Sequence, residues 1–167
     1  TGFREAGTPF TLAPDELVLI DCLHGPFSGL TAAVPMDQKF SIYIESMNTI
    51  RSITGETTRW SDVRMLKRMI RDYKHRGYSP EHTLAHWPYV RKGELKHIIP
   101  YILTTDFVIN AGLPYELSVL KTALGDLVPG RDYVEKLRLQ GRLDPYIRGI
   151  RVHTLLETVA PFPDLNL

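Results

Sequence analysis

The sequence has one cysteine, no long apolar run and no excess of either charge, and each shortage excludes a class of protein. Cys22 alone cannot form an internal disulfide, which fits a reducing compartment and predicts a cytoplasmic location. No apolar stretch approaches the length of a membrane span, so no transmembrane helix is expected. The net charge of +1 argues against a general nucleic-acid-binding protein.

The length and composition suit one globular domain. The chain has 167 residues, of which 43% are hydrophobic and 23% charged, and this balance is typical of a folded protein with one core. Residues 1–16 carry several Gly and Pro, no signal-peptide pattern and no initiator Met. We therefore expect the chain to be a piece of a longer protein.

Three short apolar runs predict strands. Residues 17–20 are an uninterrupted apolar run, typical of a strand buried on both faces. Residues 40–44 and 106–110 are rich in aromatic and β-branched side chains. Because helical patterns separate these runs, the sequence predicts an α/β fold with a parallel sheet flanked by helices.

The rest of the sequence predicts helices. Residues 60–75 repeat apolar side chains every three or four positions, and Gly77 is placed to end that helix. Ser79 and Pro80 form the start of a second helix, which is expected to bend at Pro88. Further helices are predicted at about 91–103, 114–127, 131–139 and 143–158.

The first of these helices is strongly basic. Six Lys and Arg side chains fall within thirteen residues, namely Arg64, Lys67, Arg68, Arg71, Lys74 and Arg76. Arg68 and Arg71 lie about one turn apart, so their guanidinium groups can converge on one anion. A guanidinium matches phosphate oxygens two at a time. The pattern indicates either a phosphate site on a mobile lid or a solvated basic face.

Asp21 directly follows the first predicted strand. A carboxylate at that position lies at the carboxyl edge of a parallel sheet, where open α/β folds bind ligands. It could hold Mg²⁺ directly or through water. The alternative is a loop aspartate that caps the turn near Gly25.

The histidines and the cysteine give weaker signals. His82, His86 and His97 lack a further well-placed ligand for zinc, so hydrogen-bonded surface histidines are favoured over a metal site. Cys22 and His24 are spaced to share a face of an extended segment, as a nucleophile and its base could be. A buried, inert cysteine is the favoured interpretation.

Three segments together resemble the uridine kinase/phosphoribulokinase family of P-loop kinases. In that family a buried strand ends in an acid, usually Glu, where this chain has Asp21. The family's lid pattern R-x-x-x-R-x-x-R-D-x-x-x-R-G is matched by Arg64, Arg68, Arg71 and Arg76. The later strand matches T-D-F-V-I-N at 105–110. The closest similarity is to a bacterial uridine kinase-like branch, through R-D-Y-x-x-R-G-Y-S-x-E-x-T-x-x-x-W-P-x-V-R-x-G-E at 71–94.

This resemblance implies roles for particular residues. Asp21 would act near Mg²⁺ and the phosphoryl acceptor, and Arg68 and Arg71 would contact the nucleotide phosphates and the transferring group. Phosphate or substrate binding is further implied for Arg64, Arg76, Tyr78 and Arg91. The implied reaction transfers the γ-phosphoryl of ATP, with Mg²⁺, to a hydroxyl of a nucleoside. Tyr78 replaces an arginine that helps to hold the nucleoside in uridine–cytidine kinases, which leaves the acceptor open.

The family's phosphate-binding motif G-x-x-x-x-G-K-[ST] does not occur in this sequence. We therefore expect residues 1–127 to be the carboxyl-terminal part of a P-loop kinase domain, with a lid at about 59–98 and a helical tail at 128–167. The family's P-loop strand lies between those matching 17–20 and 40–44, so these residues alone are expected to be inactive and to bind ATP poorly. The alternatives are a non-catalytic nucleotide- or RNA-binding module and a regulatory oligomerisation domain, and self-association is compatible with each.

Overall fold

A computed structural model describes residues 7–9, 11–25, 27–47, 50–51, 55 and 57–163. Within these ranges the chain is a mixed α/β protein with two strands and five α-helices. None of the described helices is both long and apolar enough to cross a bilayer. In chain order the elements are β1 (Ile42–Glu45), α1 (Trp60–Arg76), α2 (Pro80–His97), β2 (Phe107–Asn110), α3 (Glu116–Leu124), α4 (Arg131–Leu139) and α5 (Leu143–Glu157).

The two strands pair in parallel, as the sequence predicts. Ile42 lies opposite Phe107, and Glu45 lies opposite Asn110. Asp106 fixes the start of this ladder, because its Oδ2 accepts hydrogen bonds from the backbone N–H and the hydroxyl of Ser41, both at 2.7 Å. These two bonds, the backbone one first, lower the pKa of Asp106 from its ordinary value.

The end of α1 and the start of α2 confirm the capping residues that the sequence predicts at Gly77 and Ser79. Gly77 ends α1 in the left-handed conformation with φ of 67°, and its N–H donates to the carbonyl of Asp72. Two residues later the hydroxyl of Ser79 accepts from the N–H of His82 at 3.2 Å, with Pro80 in the first helical turn. The tight turn between these caps makes α1 and α2 neighbours.

The prediction of a separate helix at 91–103 is wrong. The second helix continues through Pro88 to His97, and a 3₁₀ turn follows over Ile99–Thr104. Pro88 lacks an N–H and so removes one backbone hydrogen bond, but Leu84 and Trp87 beside it are fully buried. Packing of these side chains holds the helix together across the proline.

The prediction of a buried strand at 17–20 is also wrong. Leu17 and Leu19 are 96% and 95% exposed, and the described residues there are in no strand. A strand needs a partner for its backbone N–H and C=O groups, and β1 and β2 pair only with each other within the described part of the chain. An apolar run alone does not supply that partner.

One hydrophobic core joins all five helices. Its most deeply buried members come from α1, α2, α3, α4 and α5, with Met65, Trp87, Leu124, Leu137 and Val152 as examples. Helices α4 and α5 belong to the predicted tail, of which residues 164–167 lie outside the described residues, and they pack into this same core. The ion pairs of buried Asp62 on α1 with Arg148 and Arg151 on α5 add to this attachment.

Candidate functional site

Three of the predicted phosphate-binding arginines meet on one buried carboxylate near the end of α1. The side chain of Asp72 is only 4% exposed. Its Oδ2 lies 2.9 Å from Nε of Arg68, and its Oδ1 lies 3.1 Å from Nη1 of Arg76. Nε of Arg71 is 3.6 Å from the same Oδ1. The spacing of four residues from Asp72 to Arg68 and to Arg76 puts these partners one helical turn away on either side.

The cluster keeps a surplus of positive charge. One carboxylate faces three guanidinium groups, and it accepts only part of the five N–H donors that each guanidinium carries. The Arg71 and Arg76 side chains are about half exposed. Asp72 therefore orients the arginines while most of their donors remain available to an oxyanion.

A cleft of about 370 Å³ opens beside this cluster, between α1 and α2. From α1 it is lined by Arg68, Asp72 and Arg76, and from the turn by Tyr78. From α2 it is lined by His82, Thr83, His86, Trp87 and Val90. The volume falls in the range of small-molecule sites.

Four aromatic rings form a row along the turn and α2. The rings of Tyr78 and His82 stack with their centroids 4.8 Å apart, and those of His82 and His86 with centroids 5.8 Å apart. Tyr89 continues the row at 5.3 Å from His86. His82 and His86 are on the surface, as predicted, but their rings stack where side-chain hydrogen bonds were expected. The spacing of three or four residues along α2 produces this alignment.

Two residues that line the cleft each carry a buried polar atom without a hydrogen-bond partner among the described residues. The Thr83 hydroxyl and the Trp87 indole N–H have no hydrogen bond to any described residue. Thr83 and Trp87 as a whole are 3% and 1% exposed. An unpaired buried donor is costly, so each one calls for an explanation.

Arg64 and Arg91 lie in a second cluster and are already paired there. Arg64 contacts Oε1 of Glu45 at 2.7 Å and Oε1 of Glu94 at 2.5 Å, and Arg91 pairs with the other oxygen of Glu94. Both carboxylates are buried, and both guanidinium groups also lie over the ring of Trp60, at 5.7 and 5.1 Å from its centroid. This cluster ties β1, α1 and α2 together.

Tyr43 completes the second cluster. Its hydroxyl donates to Glu45, and burial, followed by this bond, raises the Tyr43 pKa well above its ordinary value. The predicted phosphate-binding roles of Arg64 and Arg91 stay predictions. Their guanidinium groups are already committed to buried carboxylates, which suits a structural role.

Asp21 is not at the end of a strand, contrary to the prediction. It is exposed and follows the unpaired run 17–20. In the part of the chain that the structure describes, no three His, Cys, Asp or Glu side chains are grouped to hold a metal ion. The predicted role of Asp21 near Mg²⁺ stays a prediction. Cys22 is likewise exposed, which corrects the expectation of a buried thiol.

The sequence did not single out the residues that organise this site. Asp72 stood out only as the one acid among the basic residues at 64–76, although its positions four residues after Arg68 and four before Arg76 were a usable signal. Thr83 belonged to the 71–94 similarity without a role, whereas Trp87 was expected to pack in the core or the lid, and it lies in the core. Their burial beside the cleft depends on how α2 packs, which local spacing does not determine.

Comparison of this chain with protein-family models, with curated proteins and with solved structures finds no match. The resemblance to P-loop kinases therefore rests on the residues quoted for it, most specifically those at 71–94. The function proposed next is supported by those residues and by the geometry around Asp72.

Proposed function

We propose that this chain is the carboxyl-terminal part of an ATP-dependent nucleoside kinase of the uridine kinase/phosphoribulokinase type. The reaction is transfer of the γ-phosphoryl of Mg²⁺–ATP to a hydroxyl, with a nucleoside as the acceptor. In this proposal α1 and α2 form the lid over the phosphates. The two strands are part of a larger parallel sheet.

The observation that carries the proposal is the convergence of Arg68, Arg71 and Arg76 on Asp72. A transferring phosphoryl group spreads negative charge over its oxygens, and prepositioned cations stabilise that charge. A buried carboxylate that holds three guanidinium groups in place supplies this prepositioning. The exposed donors of Arg71 and Arg76 would then bind the phosphates.

In this proposal the phosphate-binding loop and its lysine are not part of the 167 residues. Since the chain has no G-x-x-x-x-G-K-[ST] motif, the phosphate-cradling loop and its lysine must be supplied by sequence outside the 167 residues. In this proposal Mg²⁺ enters as part of the nucleotide substrate. The chain's own contribution is the lid.

The experiment compares the 167-residue chain with the product of the complete reading frame that encodes it. We expect no turnover of ATP and uridine by the 167 residues, and turnover by the longer product. In the longer product Arg71→Ala should lower kcat by at least about 100-fold, because a transition-state contact is lost. The matched control is Arg131→Ala on α4, which should leave kcat unchanged. Turnover by the 167 residues, or full activity of Arg71→Ala, would contradict the proposal.

A second candidate function, binding of single-stranded RNA, is favoured by one observation. The row of rings from Tyr78 to Tyr89 lies beside the arginine cluster, and aromatic platforms next to cationic grooves bind single strands. RNA binding predicts an affinity for oligouridylate that falls steeply with added salt. The kinase lid predicts no such affinity for the oligonucleotide.

A further inference from the structure

The tail hairpin, formed by α4 and α5, holds α2 by two of its backbone carbonyls. Nη2 of Arg142, in the turn between α4 and α5, donates to the carbonyl of Ala85 at 2.8 Å. The hydroxyl of Tyr133 on α4 donates to the carbonyl of Glu81 at 3.3 Å. These two carbonyls are four residues apart, so the donors of the tail hairpin hold about one full turn of α2.

The turn that the tail hairpin holds lies beside the weakest point of α2. Pro88 has no N–H, so the carbonyl of Leu84 lacks the donor that an uninterrupted helix would provide. Ala85, which accepts the bond from Arg142, is the next residue. Because helices bend at such interruptions, contacts from outside α2 determine its direction there.

The tail hairpin is itself firmly seated against the other helices. A Cβ at Gly149 on α5 would lie 2.7 Å from a methyl carbon of Val134 and 3.4 Å from one of Leu84. The glycine therefore lets α5 pack closely against α4 and against the interrupted turn of α2. Asp62, buried on α1, pairs with Arg151 on α5 at 2.7 Å. The tail hairpin is thereby joined to both helices that line the cleft.

The α2 wall of the cleft extends across the interruption, with His82 before Pro88 and Val90 after it. A change of bend at Pro88 would therefore move one part of this wall relative to the arginines of α1. We propose that the tail hairpin is a clamp that sets the direction of α2 past Pro88, with Arg142 and Tyr133 as positioning residues. The proposed function gives the tail no part in the reaction, so this inference deepens it, and the expected effect on turnover rests on it.

The clamp itself is tested on the 167-residue chain by pulsed electron spin resonance. Spin labels are attached to Lys74→Cys on α1 and Lys92→Cys on α2, both exposed positions, in a Cys22→Ser background. We expect one narrow distribution of distances between the labels. The combination of Arg142→Ala with Tyr133→Phe removes both donors and should shift or broaden that distribution. This measurement does not depend on catalysis.

The effect on turnover is tested on the product of the complete reading frame. Arg142→Ala should lower kcat by about tenfold and change the KM for ATP by less than about twofold, because the lid groups are misaligned in the transition state. Arg142→Lys can still donate to the carbonyl of Ala85, so it should restore most of the kcat. Arg138→Ala is the matched control, since Arg138 pairs with Glu135 on its own helix, and it should change neither the distances nor the kcat.

The two measurements separate failure of the clamp from failure of the proposed function. An unchanged distance distribution, or an unchanged kcat of Arg142→Ala in an active product, overturns the inference. A loss of kcat that Arg142→Lys does not restore also overturns it, because general destabilisation then explains the loss. If the complete product has no turnover, the proposed function is wrong, and the distance distribution alone decides whether the tail hairpin is a clamp.

Discussion

At the scale of the residue, Asp72 determines where three arginines lie. Its carboxylate is buried, yet it is the shared partner of Arg68, Arg71 and Arg76. Without it the three guanidinium groups would repel one another and turn toward solvent. Asp72 is therefore the residue on which the arrangement of the three arginines depends.

The first prediction concerns the substitution Asp72→Asn. An amide keeps the size of the side chain but removes its negative charge, and it leaves three cations close together. We expect the free energy of unfolding to fall by about 2–4 kcal/mol, measured by urea denaturation. The matched control is Asp144→Asn, because Asp144 is half exposed and pairs with Arg148 on its own helix. This control should cost no more than about 1 kcal/mol. Equal losses of unfolding free energy in the two variants would show that Asp72 stabilises the fold no more than an exposed aspartate in a single ion pair.

At the scale of the element, the turn between α1 and α2 sets the width of the cleft. Gly77 adopts φ of 67°, which reverses the chain directly after the last arginine of α1. Ser79 and Pro80 then begin α2 within three residues. The arginines and the row of rings are thereby brought to opposite walls of one cleft.

The second prediction compares two Gly→Ala substitutions. A Cβ added at Gly77 or at Gly93 would meet no neighbouring atom within 4 Å, so sterics do not distinguish the two positions. Gly77→Ala should lower the free energy of unfolding by about 1 kcal/mol, because a Cβ disfavours the left-handed conformation. Gly93→Ala, inside α2, should raise it by up to about 1 kcal/mol through better helix propensity. Thermal unfolding measures both, and a change of the same sign in the two variants would contradict this account.

The first helix and the caps around the turn after it were predictable because their signals are local. The periodic apolar stripe of α1, Gly77 after it and Ser79-Pro80 before α2 are each explained by a few neighbouring residues. The strand at 17–20 was not predictable in this way. An apolar run becomes a strand only when another strand pairs with it, and that partner is a non-local property.

The candidate site was predictable in part for the same reason. Convergence of Arg68 and Arg71 follows from helical spacing, so it could be inferred. That their common anion is Asp72, on their own helix, depends on how deeply α1 is buried. The buried polar atoms of Thr83 and Trp87 lack partners because of how the helices pack, and a sequence pattern does not determine that packing.

At the scale of the whole molecule, burial is divided unevenly along the chain. Among the described residues, every core hydrophobic side chain comes from position 63 or later. The apolar side chains at 17–20 and at 40–44 are mostly exposed, including one face of the sheet at Ile42 and Ile44. The helices therefore form the stable body, and the amino-terminal segment contributes little to its core.

The last prediction follows from this division and concerns limited digestion with chymotrypsin. The exposed leucines and phenylalanines before β1 lie outside helices and strands, apart from two short 3₁₀ turns at Ser28–Thr31 and Met36–Gln38. Proteases cut such segments first, because they need an extended backbone free of internal hydrogen bonds. We expect the earliest cuts between residues 17 and 40, with a helical fragment that contains 57–163 persisting, as measured by mass spectrometry.

Two variants test whether early cutting depends on the exposed amino-terminal segment. Leu17→Ser combined with Leu19→Ser should remove the products cut after these two almost fully exposed leucines, while cutting after exposed Phe40 persists. Leu139→Ser should leave the order of cutting unchanged, although Leu139 is 75% exposed, because it lies in α4 and its backbone is hydrogen-bonded. Early cleavage at Leu139 in the unmodified chain, ahead of any cut before residue 40, would mean that α4 opens more readily than the amino-terminal segment. The helices would then not form one stable body.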